Sequence, residues 1–150
     1  GVRDTFRDEC PEGSVLVKSR GVTPKEERDN ISIEHAVGFD LTRACLSDRR
    51  ITAFVAVNDM VAYGVLDAIL AAGRRVPEDY SVCGFDNVFP SRLLPLGLTT
   101  VEHHIEDKGR NAFDILHAKL SGEASGLNIT RVEFRHHLIV RDSTGVPRKE

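Results

Sequence analysis

The chain has 150 residues, with 20 lysine and arginine side chains against 23 aspartate and glutamate side chains, which gives a formal net charge of −3. Hydrophobic residues make up 41% and charged residues 29%, values typical of a globular chain and unlike disordered, collagen-like or coiled-coil sequences. A pI near 6.1 without a long basic block disfavours direct binding of nucleic acid by this segment. No apolar run approaches the roughly 18 residues of a membrane-spanning helix, so we expect no membrane partner.

The chain begins at Gly1 without a methionine and without an apolar signal-peptide segment, so we expect it to be a piece of a longer protein. Its three cysteines, Cys10, Cys45 and Cys83, are widely spaced and form no C-x-x-C motif. This usage predicts reduced, buried thiols in a cytoplasmic protein rather than a disulfide framework or a zinc site.

Helical and extended patterns alternate along the whole chain. The N-terminal half predicts the tail of a helix over residues 1–9, a short strand over 15–17, a polar stretch over 20–30, a helix over 32–46, and a strand over 52–57 that is apolar enough to be buried on both faces. The C-terminal half predicts a helix from 58–59 to Gly73, a strand over 80–85, an extended segment over 98–101, a helix over 102–120, an edge strand over 131–140 and a frayed tail after Ser143. This order is typical of an α/β fold with a mostly parallel sheet.

Polar residues follow two of the predicted strands directly. Asn58 and Asp59 come after the first, and Asp86 comes after the second. Because ligands of such sheets bind beyond the carboxyl ends of the strands, Asn58 and Asp86 are candidate contacts for a small polar molecule such as a sugar or a purine. The alternative is structural: Asn58 or Asp59 caps the following helix, and Asp86 begins a turn.

No motif for catalysis or for a cofactor occurs in the sequence. There is no G-x-S-x-G, phosphate loop, G-x-G-x-x-G or H-E-x-x-H. The pairs His103-His104 and His136-His137 are neighbours in sequence, which do not face each other on a helix and point to opposite faces of a strand. We therefore expect solvated or capping histidines, no metal, no cofactor and no enzymatic activity.

Four segments resemble the LacI/GalR family of transcriptional regulators. Residues 51–64 read ITAFVAVNDMVAYG, similar to the family's PTAIFAxNDxMAxG, and residues 75–87 read RVPEDYSVCGFDN, similar to RVPEDISVVGFDD. LTTV at 98–101 and LIVRDST at 138–144 follow in the family's order and spacing. The resemblance covers most of residues 33–147.

The resemblance implies a periplasmic-binding-protein-like (type I) fold with two lobes, incomplete here at the N-terminus. Residues 1–100 and 135–147 would form a three-layer, parallel-sheet C-terminal lobe, and residues 104–131 would belong to the N-terminal lobe. The whole chain would be the C-terminal part of an effector-binding and dimerisation domain. The family's DNA-binding helix-turn-helix would lie outside this chain.

The resemblance also implies which residues meet the effector. Asn58 and Asp86 match effector contacts, and Ile33 matches an aromatic or apolar wall of the site. Asn87 stands where the family commonly has Asp, a departure that we expect to tune the choice of ligand. The leucines Leu93, Leu94 and Leu96 lie in a segment that resembles the subunit contact of a homodimer, and packing within the chain is the alternative for them.

The function implied is that of a cytoplasmic regulator without enzymatic activity. A small sugar-like or purine-like effector would bind between the lobes and shift the affinity for operator DNA, which is contacted only by the missing N-terminal domain. The alternative from another class is the solute-binding protein of a sugar transporter, which shares the fold but requires a signal peptide. An enzyme with this sheet architecture is a third reading, without a nucleophile, base or cofactor motif to support it.

Overall fold

The computed structural model describes residues 13–29, 32–88, 95–122 and 131–148. The helices in this part of the chain are α1 (Pro24–Asp29), α2 (Ile33–Cys45), α3 (Asp59–Ala71) and α4 (Ile105–Leu120). The strands are β1 (Ala53–Val55), β2 (Ser81–Cys83), β3 (Thr100–Glu102) and β4 (His137–Ile139). The chain divides into two compact units, Gly1–Ile33 and Glu34–Glu150.

The N-terminal unit contains α1, which lies in the segment predicted to be a polar stretch without a helix. Thr23 and Glu26 form a capping box: the Thr23 backbone N–H donates to Glu26 Oε2 at 2.9 Å, and the Glu26 N–H donates to Thr23 Oγ1 at 3.3 Å. Thr-Pro-x-Glu is the local signal for this helix, with Pro24 in the first helical position.

The strand predicted over residues 15–17 is wrong. These residues form neither helix nor strand, and Leu16 and Val17 are exposed. A run of three apolar residues carries too little surface to hold a strand in place without a partner, and none pairs with it in the described residues.

The C-terminal unit is built on two pairs of strands. β1 and β2 are parallel, with the register Ala53↔Ser81 to Val55↔Cys83, and a parallel bridge joins Cys83 to Thr99. β3 and β4 are antiparallel. The predicted α/β class and the parallel pairing are confirmed, and the helices predicted over 32–46, from 58–59 to Gly73 and over 102–120 lie within a few residues of the observed ones. The helix tail predicted over residues 1–9 lies outside the described residues.

The core of this unit lies between β1, β2 and α3. Its buried members are Ala56, Ala62, Val65, Leu66, Ile69, Val76, Tyr80, Val82 and Leu98. The expectation that β1 is buried on both faces is wrong, because Val55 and Val57 are 64% and 78% exposed while Phe54 and Ala56 pack toward the core. Successive side chains of a strand point to opposite faces, and only one face is covered in the part of the chain described.

No helix in the described ranges is long and apolar enough to cross a membrane.

Residues 144–148 are held by specific contacts, so the prediction of a frayed tail after Ser143 is wrong for them, and residues 149 and 150 lie outside the described residues. Ser143 is completely buried: its hydroxyl accepts from the Thr99 N–H and donates to the Val82 carbonyl, both at 2.7 Å. Farther along, the Arg148 guanidinium lies 4.7 Å over the ring of Tyr80 and donates to three backbone carbonyls. The partners of Ser143 and Arg148 are distant in sequence, so no local sequence pattern predicts these contacts.

Helices α2 and α3 approach each other through a pair of glycines. A Cβ on Gly64 would overlap the carbonyl oxygen of His35, and a Cβ on Gly38 would overlap the carbonyl oxygen of Val61. The close backbone contact therefore requires a residue without a side chain on each helix. It holds the start of α2 against the start of α3.

We expect Gly64→Ala to lower the free energy of unfolding by about 1–3 kcal/mol, because the new methyl group must push the two helices apart. Gly109→Ala is the matched control, since Gly109 is also inside a helix and a methyl group there would meet nothing within 4 Å. Alanine there should stabilise the protein by about 0.5–1 kcal/mol through helix propensity. Denaturant unfolding of the two variants measures the difference, and equal changes in both would contradict the glycine contact.

Candidate functional site

Asn58 stands between the carboxyl end of β1 and the start of α3, where it caps the helix. Its Oδ1 accepts from the Val61 N–H at 2.9 Å, and its Nδ2 donates to Glu34 Oε1 at 2.9 Å. The capping role is thus established for Asn58. An amide group has two N–H donors and two lone pairs, so one of each is left by these two bonds for another partner.

Asp59, the next residue, is buried at the same edge of the sheet, at the start of α3. Its side chain is inaccessible to solvent, with Oδ1 accepting from the Thr100 hydroxyl at 2.6 Å and Oδ2 from the Val88 N–H at 3.0 Å. A Cβ on Gly84 would overlap this carboxylate, which explains the glycine before Phe85. The Asp59 N–H donates to the Phe85 carbonyl at 2.8 Å and joins the ends of β1 and β2.

Asp86 follows the end of β2 in a strained backbone conformation. Its φ is +111°, a value that residues with a side chain rarely adopt and that costs on the order of 1–3 kcal/mol. The bond from its N–H to the Val101 carbonyl, 3.0 Å long, holds it there. Such strain is concentrated at functional positions. The carboxylate of Asp86, held in this way, lies partly exposed at the end of the sheet.

His103 lies beside Asp86, a neighbour that no motif in the sequence predicts. Its Nε2 is 3.1 Å from Asp86 Oδ1, and its ring stacks on Phe85 with centroids 5.3 Å apart. The side chain is only 14% exposed, so the expectation of a solvated histidine is wrong for His103. Only the strand topology could have predicted this neighbour. The chain around Thr99 runs parallel to β2, so residues that follow β3, such as His103, lie at the same end of the sheet as Asp86.

The electrostatic environment of Asp86 is acidic. Burial raises the pKa of this carboxyl above its ordinary value, His103 lowers it, and the neighbouring charges of Asp59 and Glu34 raise it further. Glu34 is therefore a second acidic group at this site, and no motif in the sequence singles it out. Together with Asn58, the two carboxylates can accept hydrogen bonds from the hydroxyl or N–H groups of a ligand.

An open cavity of about 740 Å³ adjoins Asp86. It is lined by the loop after β2 and by the corner between β3 and α4, which contributes Glu102, His103 and Asp107. Among the described residues, no three His, Cys, Asp or Glu side chains come together in a way that could hold a metal ion.

The other candidate residues are placed as follows. Asn87 is buried, and its amide is bonded to Glu102 and to the guanidinium of Arg141. Leu96 packs against the core of its own chain, while Leu93 and Leu94 lie outside the described residues. Ile33 is the first residue of α2 and belongs to the N-terminal unit. Its role as a wall of the site stays a prediction.

Residues 2–144 match the model of the periplasmic binding protein-like domain. The chain belongs to this family. The HTH-type transcriptional repressor PurR of Haemophilus influenzae is 32% identical over 108 residues, which are 71% of this chain and 32% of that protein. The ribose operon repressor of Halalkalibacterium halodurans is 32% identical over 143 residues, which are 83% of this chain and 43% of that protein.

The solved structures point to the same branch of the family. The LacI family transcriptional regulator from Arthrobacter sp. FB24, in complex with lactose, is 34% identical and superposes with a TM-score of 0.67, covering 74% of this chain and 42% of that one. The resemblance to LacI-family regulators is thereby confirmed for the periplasmic-binding-protein-like domain. The chain spans about a third of the length of the first curated relatives it matches.

The raised pKa of Asp86 predicts how stability depends on pH. Because the folded state binds this proton more tightly than the unfolded state, the free energy of unfolding should fall as the pH rises from the ordinary aspartate value of 3.8 through the raised value in the fold. Asp86→Asn removes this contribution while keeping an acceptor for His103. We expect the variant to be at least as stable as the wild type at neutral pH and to lose that advantage near pH ~4. Chemical unfolding at both pH values tests this, and a variant less stable only at neutral pH would contradict it.

Proposed function

We propose that this chain is the ligand-sensing and dimerisation portion of a bacterial LacI/GalR-type transcriptional regulator. It binds a small sugar-like or purine-like effector between two lobes and shifts the affinity of the protein for operator DNA. The observation that carries the proposal is the position of Asp86: a strained carboxylate at the end of β2, joined through the Asp59–Phe85 bond to the end of β1, where Asn58 lies. Both residues match positions that the resemblance to the family assigns to effector contacts.

The chemistry of the site suits a ligand that donates many hydrogen bonds. Asp86 and Glu34 offer carboxylate oxygens, and the carboxyl of Asp86 already lies in an acidic environment. A charge-assisted hydrogen bond contributes about 1.5–3 kcal/mol, so a few such contacts supply a large part of the roughly 8 kcal/mol of a micromolar affinity. A relative named for the ribose operon and another bound to lactose support a sugar-like effector.

The rest of the proposed binding domain is a second lobe to which residues 104–131 contribute. The support is the surface of α4, which has no buried residue and exposes several large apolar side chains: Ile105, Phe113, Leu116 and Leu120. An apolar surface of this size is typical of a helix that packs against further structure. Residues 1–100 and 135–147 form the other lobe in this proposal.

The proposed mechanism is a shift of populations. An effector that binds one arrangement of the lobes better than the other, by about 1–3 kcal/mol, changes the arrangement that the DNA-binding heads experience. The heads lie outside this chain, and the protein acts in the cytoplasm as a homodimer without enzymatic activity. The segment with Leu93, Leu94 and Leu96 is the proposed subunit contact, although Leu96 also packs against its own core.

Asp86→Ala in the full-length protein tests the site. We expect it to weaken effector binding at least about 10- to 100-fold, because a charge-assisted bond is lost, and to leave the fold and the dimer intact. Calorimetric titration with a panel that includes ribose, lactose and purine bases measures the change, together with the effector response of operator binding. Asp114→Ala, an exposed carboxylate on α4, is the control. An unchanged titration in Asp86→Ala would refute the assignment.

A further inference from the structure

A chain of hydrogen-bonding groups leads from α4 to the candidate site. Lys108 Nζ lies 3.1 Å from His103 Nδ1, and His103 Nε2 lies 3.1 Å from Asp86 Oδ1. Lys108 also approaches His136 Nε2 at 3.4 Å, which ties it to the segment before β4. One lysine therefore connects three separate parts of the C-terminal unit.

The hydrogen-bonding chemistry of Lys108 favours one tautomer of the His103 ring, which lies between Lys108 and Asp86. An ammonium group has three donors and no acceptor, so the nitrogen that faces it must be an acceptor. The tautomer that satisfies both contacts has Nδ1 as the acceptor from Lys108 and an Nε2–H that faces Asp86. The ring donates to the carboxylate, and the ammonium polarises the ring in the direction that strengthens this bond.

Packing holds the imidazole in place for this role. The His103 ring stacks on Phe85, with an interplanar angle of 25°, and the edge of His136 meets both rings. Phe85 itself is fixed by its carbonyl, which accepts from the Asp59 N–H. The ring plane is thus set by contacts other than the hydrogen bonds to Lys108 and Asp86.

We propose that Lys108 and His103 are positioning residues for the effector site: Lys108 fixes the Nε2–H tautomer of His103, and His103 holds Asp86 Oδ1 so that Oδ2 is directed at the effector. This inference rests on the proposed function, because it assumes that Asp86 meets the ligand. It adds residues that the motifs of the sequence do not identify. In this arrangement His103 acts through Asp86, and Lys108 acts through His103.

The first arm of the test needs no effector. In the full-length protein labelled with ¹⁵N at histidine, long-range proton–nitrogen spectra at neutral pH distinguish the two tautomers. We expect His103 to show a protonated Nε2 and an unprotonated Nδ1, and we expect Lys108→Met to shift the ring toward a mixture of tautomers. Lys119→Met, an exposed lysine on the last turn of α4, is the control and should change nothing. A wild-type ring protonated on Nδ1, or one unaffected by Lys108→Met, would overturn the proposal.

The second arm uses ribose and lactose as probes in calorimetric titration of the full-length protein. His103→Phe keeps the stack on Phe85 but removes the donor, so binding should weaken about 3- to 10-fold, as for the loss of one hydrogen bond. Lys108→Met should weaken binding in the same direction. His103→Gln, which can donate to Asp86, should restore most of the affinity.

The two arms separate this inference from the proposed function. If Asp86→Ala loses binding while His103→Phe and Lys108→Met bind like the wild type, the hydrogen-bonded chain is structural and the positioning role is refuted. If Asp86→Ala also binds normally, or if neither sugar binds the wild type, the proposed site fails as a sugar site, and the positioning role for a sugar effector fails with it. The tautomer measurement still decides in that case whether Lys108 controls His103.

Discussion

The architecture of this end of the molecule depends on one buried carboxylate, that of Asp59. It receives the Thr100 hydroxyl and the Val88 N–H, and it lies against Gly84 in the space that a Cβ would fill. A buried charge is tolerated only when its hydrogen-bonding capacity is satisfied, so the start of α3, the loop after β2 and the start of β3 must meet at one point. The geometry of Asp86 follows from this junction, because residues 84–88 are held at both ends.

A consequence of that junction is that Asp86 can be kept in an unfavourable conformation. Its positive φ costs free energy, and burial, together with the nearby charges of Asp59 and Glu34, disfavours the ionised side chain. Proteins retain such features where the side chain has a task. In the proposed function, the task of the Asp86 carboxylate is to bind a ligand rich in hydrogen-bond donors. His103 then supplies a favourable contact that holds the group until the ligand arrives.

Much of the fold could be predicted from the sequence, and the failures have physical causes. The capping of α3 by Asn58, the end of α3 shortly before Gly73 and the meeting of two strand ends follow from local capping and from the rules of parallel sheets. The burial of Ser143 depends on partners distant in sequence, and periodicity does not report these. The environment of His103 depends on the strand pairing that places it beside Asp86, which its neighbours in sequence do not reveal. No local sequence pattern identifies Glu34, because its role follows only from its hydrogen bond with Asn58 and from the effect of its charge on Asp86.

The central claim is that the carboxyl ends of β1 and β2 form an effector site. A structure of the full-length protein with its bound effector tests this most directly. We expect Asp86 and Asn58 both to lie within hydrogen-bonding distance of the ligand, with His103 still bonded to Asp86. A ligand seated elsewhere, with Asp86 contacting only protein groups, would contradict the claim.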